Sequence, residues 1–101
     1  MWVMAVFDLP VLTKAERQRA TRFRKFLLDE GFVMMQFSVY IRFTGGKEQA
    51  LAITKRIGQK VPKHGKVDVL FFTDKQYQNI FSFRGRRDEP KPERPDQLAL
   101  F

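Results

Sequence analysis

An α+β sandwich, with two helices laid across one face of an antiparallel sheet, is the fold predicted by this sequence of 101 residues. Three features carry the prediction. Residues 2–7 are a continuous apolar run, residues 33–43 alternate between apolar and polar, and two stretches of helical periodicity lie among the strands. One domain is expected at this length, and a hydrophobic content of 44% suffices for a packed core.

The first run, Trp2 to Phe7, reads as a strand buried on both faces. Asp8-Leu9-Pro10 ends it, because proline donates no hydrogen bond to a ladder. Thr13 and Glu16 stand at capping-box spacing, each side chain able to satisfy the other's backbone N–H, and open a helix over 14–30. Ala20, Phe23, Phe26 and Leu27 form its apolar stripe, with Gly31 at the left-handed position just past its end. In 33–43, Val33, Met35, Phe37, Val39, Ile41 and Phe43 alternate with Met34, Gln36, Ser38, Tyr40 and Arg42. That is about twice the usual strand length. It is either one long bent strand or two strands meeting near Gln36–Ser38, and no Gly or Asn marks a turn. The alternation assigns Phe37 to the core, and Ser38 and Tyr40 to the more polar face.

Thr44-Gly45-Gly46 is a loop, and the second helix turns Ala50, Ile53, Ile57 and Val61 inward before Pro62 stops it. Lys63-His64-Gly65-Lys66 turns the chain into a strand over Val67–Thr73. Beyond Asp74, a polar stretch leads to a short strand at Ile80–Phe83. The order is that of a ferredoxin-like βαββαβ sandwich, filling residues 1–84. Residues 85–101 form a basic, proline-rich arm ending in the apolar segment Gln97–Phe101, read as an added edge strand, on this protomer or its partner. Two helices cover only one face of a sheet, yet Val3, Met4, Val6, Phe7, Leu70, Phe71 and Phe72 supply apolar residues to both. A homodimer packed sheet against sheet is the economical solution.

Charge narrows the function. Nineteen Lys and Arg against eleven Asp and Glu give a net charge of +8, which suits a polyanionic partner through phosphate contacts and counterion release. The alternative is a soluble basic protein with no such partner, but the charge is unevenly placed. Lys14, Arg17, Thr21, Arg24 and Lys25 fall along one side of the first helix, flanked by Arg19 and Arg22, and Glu16 is the only acid of that helix before Asp29. Arg84, Arg86 and Arg87 make a second cluster, and Lys55, Arg56, Lys60, Lys63 and Lys66 a weaker third. With no cysteine, disulfides, thiolate zinc sites and cysteine nucleophiles are excluded, which fits a reducing cytoplasm. The apolar start lacks the basic lead of a signal peptide and is too short to span a membrane, so no membrane association is expected. His64, the one histidine, sits in a turn and completes no hydrolase triad with Ser38.

Three stretches carry a family resemblance: Phe7-Asp8-Leu9-Pro10, then Phe23-Arg24-Lys25-Phe26-Leu27-Leu28-Asp29-Glu30-Gly31-Phe32, then Met35-Gln36-Phe37-Ser38-Val39-Tyr40-Ile41-Arg42. Together they resemble the CRISPR-associated Cas-two family over essentially the whole chain. The Thr73-Asp74-Lys75-Gln76 step and the Gln97-to-Phe101 ending resemble the form that accompanies Cas-nine-type systems. The resemblance implies a ferredoxin-like homodimer set between two dimers of the CRISPR integrase, the Cas-one protein. There it would help hold foreign double-stranded DNA for insertion into the repeat array. It also implies a Mg-dependent endonuclease activity on single-stranded RNA or double-stranded DNA, with Asp8 matching the family's proposed metal ligand.

A lone carboxylate is a poor magnesium site, since Mg²⁺ seeks several oxygen ligands. A two-fold axis pairing two Asp8 side chains around one ion would improve it, whereas in the simpler reading Asp8 caps the Leu9–Thr13 turn. Asp68 and Asp74 are further acids, but Asp74 is expected at the opposite sheet end from Asp8. A generic RNA-recognition domain fits less well, because Ser38-Val39-Tyr40-Ile41-Arg42-Phe43 lacks the Gly-aromatic pattern of its stacking strand. The expected role is nucleic-acid binding through Lys14, Arg17, Arg24, Lys25, Arg84, Arg86 and Arg87, with hydrolysis at Asp8 secondary or absent.

Overall fold

Four strands and two long helices follow one another in βαββαβ order in the computed structural model, which describes residues 1–85. They are β1 (Trp2–Asp8), α1 (Lys14–Asp29), β2 (Val33–Gln36), β3 (Val39–Phe43), α2 (Lys47–Lys60) and β4 (Lys66–Phe72), followed by a short α3 (Asp74–Gln78). The strands form one antiparallel sheet in the order β2-β3-β1-β4, as the ferredoxin-like topology requires.

Local chemistry accounts for the boundaries. Thr13 and Glu16 form the reciprocal capping box at the start of α1, with the Glu16 N–H donating to Thr13 Oγ1 at 3.1 Å. At the other end Gly31 takes φ of +93°, the left-handed conformation that lets the Phe32 N–H return to the Leu27 carbonyl at 3.0 Å. Gly65 allows a close approach of a different kind. A Cβ there would lie 2.6 Å from Leu9 Cδ2 and 3.1 Å from the Pro62 carbonyl oxygen, so the Leu9 side chain, which packs on the Pro62–Gly65 turn, would have to shift.

Residues 33–43 are two strands. They meet at Phe37–Ser38, where Ser38 adopts a left-handed φ of 64°, and a register shift between Met34 and Gln36 loosens the edge strand. The turn alters two expectations. Phe37 sits at its tip, 88% exposed rather than in the core, while Tyr40 is buried against Phe7 with ring centroids 5.5 Å apart.

Cross-strand pairing defines the two faces, because directly opposed residues point the same way. Val3, Ala5 and Phe7 of β1, together with Tyr40, Val67, Val69 and Phe71, face the helices. There they meet Phe23 and Leu27 of α1 and Ala50, Ile53 and Ile57 of α2 in one continuous core. The other face carries Trp2, Met4, Val6, Val39, Ile41, Phe43, Leu70 and Phe72. The sheet is thus apolar on both sides, as the sequence predicts. Phe71, however, belongs to the covered face, and Leu70 and Phe72 to the open one.

The polar stretch after β4 is a helical turn, α3, opened by a second capping box between Thr73 and Gln76. It folds over one end of the open face, stacking Tyr77 on Trp2 at 4.2 Å while the Trp2 indole N–H donates to Asp74 Oδ1 at 2.9 Å. Ile80–Phe83 is not a strand. The segment pairs with no element among the described residues and leaves Phe81 and Phe83 86% and 90% exposed. The expected strand at Gln97–Phe101 lies outside the described residues.

Candidate nucleic-acid interface

Asp8 is the last residue of β1, exposed on the open face and directly opposite Lys66 of β4. It does not cap the following turn. The backbone N–H groups of Leu12 and Thr13 both donate to Glu16 Oε1 at 2.9 Å. The Thr13 N–H holds the Glu16 carboxyl below its ordinary range, desolvation opposes it, and the Leu12 N–H adds to the lowering. Asp8 therefore stands clear of the loop. Two register pairs along, Asp68 shares its face and engages Lys66 Nζ at 3.8 Å. Asp74 lies at the far end of the sheet beside Trp2, as expected from the antiparallel pairing of β1 and β4.

These groups do not make a magnesium site within one protomer. No group of three metal-ligating side chains converges among the described residues, and the nearest charged neighbour across from Asp8 is a lysine. A hard divalent cation would need carboxylates from elsewhere.

The cations of α1 are better organised. Lys14, Arg17, Thr21 and Arg22 line a shallow depression along the helix, and Arg24 Nη2 rests on Thr21 Oγ1 at 3.3 Å. Arg17 does a second job. Its Nη1 donates to the Val11 and Leu12 carbonyls at 3.2 and 3.1 Å, so it fixes the loop that joins Asp8 to the helix. Lys14, Arg17, Arg22 and Arg24 form no ion pair among the described residues, which leaves their charge available to an outside anion. Lys25 is different: it pairs with Asp29 at 3.5 Å and turns toward α2.

The remaining basic residues divide. Arg84 is exposed and outside any helix or strand, whereas Arg86 and Arg87 lie outside the described residues. In the third cluster, Arg56 is taken by Glu30 through two hydrogen bonds of 2.8 Å, and Lys66 by Asp68. The Arg56–Glu30 pair and the α3 cap are the features sequence reasoning missed. Thr73 and Gln76 carried the same spacing signal as Thr13 and Glu16, but in a segment with no apolar stripe.

Strand order and helix placement define a small ferredoxin-like α+β protein with a cationic helix and, among the described residues, one apolar sheet face without covering helices. Within that class the comparisons single out one family. The family model described as "CRISPR associated protein Cas2" matches residues 1–80, and the chain belongs to that family. It is 50% identical to the CRISPR-associated endoribonuclease Cas2 of Paracidovorax avenae, over 100% of this chain and 94% of that protein. It is 46% identical to the protein of the same name from Flavobacterium psychrophilum, over 100% of this chain and 88% of the relative. A crystal structure of Streptococcus pyogenes Cas2 at pH 6.5 superposes with a TM-score of 0.65, covering 83% of this chain and 100% of that one. At 19% identity, that similarity speaks to the fold.

Proposed function

We propose that this protein acts in CRISPR adaptation as a homodimeric, cytoplasmic nucleic-acid-binding subunit. In this reading it bridges dimers of the Cas-one integrase and holds foreign double-stranded DNA for insertion into the repeat array. The resemblance at Thr73–Gln76 supports placing it with Cas-nine-type systems. The observation that carries the binding role is the α1 surface, where Lys14, Arg17, Arg22 and Arg24 stand without an ion-pair partner among the described residues. An unpaired cationic stripe one helix long suits a phosphate backbone, whose contacts are sequence-independent and release counterions. The apolar open face of the sheet supports the second copy.

A metal-dependent endonuclease acting on single-stranded RNA or double-stranded DNA is the second reading. It is favoured by the exposure of Asp8 at the strand end and by the relatives' name, endoribonuclease. It requires a second copy to supply the ligands one protomer lacks, so Asp8 would be indispensable to it and dispensable to a scaffold.

The test follows from that difference. Spacer integration by the complex reconstituted with its integrase is compared for wild type and Asp8→Ala, beside Mg-dependent cleavage by each protein alone. Normal integration by the variant supports the scaffold. Integration and cleavage abolished together, in a variant that still binds DNA, supports the metal site. In the same series, removing Lys14 and Arg24 should lower the slope of log K against log salt by about 0.9 for each phosphate left without its cation. An unchanged slope would remove α1 from the interface.

A further inference from the structure

Behind the phosphate-facing stripe, α1 has a second surface of different chemistry. Between its C-terminal half and the end of α2 runs an open groove enclosing about 470 Å³. The floor is apolar, formed by half-buried Phe26 beside buried Phe23, with ring centroids 6.3 Å apart. The rim is cationic: Arg19, Arg22 and Lys25 come from α1 and Lys60 from α2. One acid, Asp29, interrupts it.

We propose that this groove docks an acidic protein segment carrying a short apolar anchor of one or two residues. Charge complementarity names the sign of the occupant: Lys25 is paired with Asp29, but Arg19, Arg22 and Lys60 face the groove with no ion pair among the described residues, in a chain of net charge +8. The floor names its class. A phosphate backbone gains nothing from apolar surface, and the neighbouring depression along Lys14, Arg17 and Thr21 already offers a polar one. Base stacking needs an open ring face. Phe23 is only 2% exposed and offers none, which leaves half-buried Phe26 as a single ring where a strand of bases needs successive platforms. Asp29 also disfavours phosphate while leaving an amide N–H of a peptide a place to donate. A leucine or phenylalanine set between flanking carboxylates satisfies floor and rim together. The groove lies on the helix side, away from the open face, so a second copy on that face leaves it accessible.

The test uses the full chain and three labelled probes followed by fluorescence anisotropy. One is a synthetic acidic peptide with a central Leu-Phe pair, one is the same peptide with Ser-Ser in its place, and one is a DNA duplex. The Leu-Phe peptide should bind saturably, and the Ser-Ser peptide about fivefold more weakly or worse. Arg19→Glu combined with Lys60→Glu should weaken the Leu-Phe peptide about tenfold, whereas Lys14→Glu should weaken the duplex and leave the peptide unchanged. Because the Ser-Ser comparison is made on unaltered protein, a misfolded variant cannot decide the matter. Equal binding of the two peptides, or no saturation up to about 1 mM, overturns the proposal. So does parallel weakening of peptide and duplex in the double variant, which would make the groove part of the nucleic-acid surface.

Discussion

Glu30 ties three elements together. Its carbonyl accepts from Arg42 Nη1 of β3 at 2.8 Å, and its carboxylate takes Arg56 Nε and Nη2 of α2, each at 2.8 Å. The Arg56 hydrogen bonds hold the carboxyl below its ordinary value, burial opposes them, and the charges of Arg56 and Arg42 lower it further. The fold thus favours the charged form. Its stabilising contribution is complete above the ordinary glutamate range and is lost as pH falls through the lowered folded value. Glu30→Gln should melt at a lower temperature than wild type near neutrality, and its melting temperature should fall less steeply between about pH 5 and pH 3. Parallel acid-side profiles would show that the pair contributes no pH-dependent stability. No local pattern announces this pair, because the residues lie 26 apart in sequence and meet only once α1 and α2 pack. Gly31 was legible, since a glycine just past a helical stripe has one common use. Ser38 was not, because serine seldom takes the left-handed conformation its turn demands.

At the scale of elements, legibility followed how many independent signals agreed. In α1 the cap, the stripe and the terminal glycine concur, and the helix runs Lys14–Asp29 within one residue of the expected end. Thr13→Ala should cost about 1 kcal/mol in urea-unfolding measurements, because it orphans the Glu16 N–H. No measurable loss would mean that Glu16 alone holds the turn. Where signals were single, the reading was incomplete. Alternation over 33–43 showed extended chain but not its break, since period two continues unchanged through a turn that uses neither Gly nor Asn. Ile80–Phe83 has strand composition without a strand's neighbour among the described residues. Backbone pairing is a property of two segments, and the sequence of one cannot supply it.

For the whole molecule, the informative feature is the sheet's second apolar face. Its existence was readable from the sequence; which residues occupy it required the register of β1 with β4. Leu70, 41% exposed on the open side, is therefore the residue to charge. Leu70→Lys should convert the expected dimer to monomer in light scattering without unfolding it, and a persistent dimer would place the interface elsewhere. The proposed interface on α1 was legible as charge alone. Its division into a polar stripe and an apolar-floored groove depends on where α2 lies, which no spacing within α1 encodes. The same open face holds the chain's one tryptophan, Trp2, stacked on Tyr77 and bonded to Asp74. Nature has thus built an optical probe into the surface. Excited at the red edge of indole absorption, the protein reports on one place only, and a change in emission maximum or quenching on dilution would follow the fate of that face without any label.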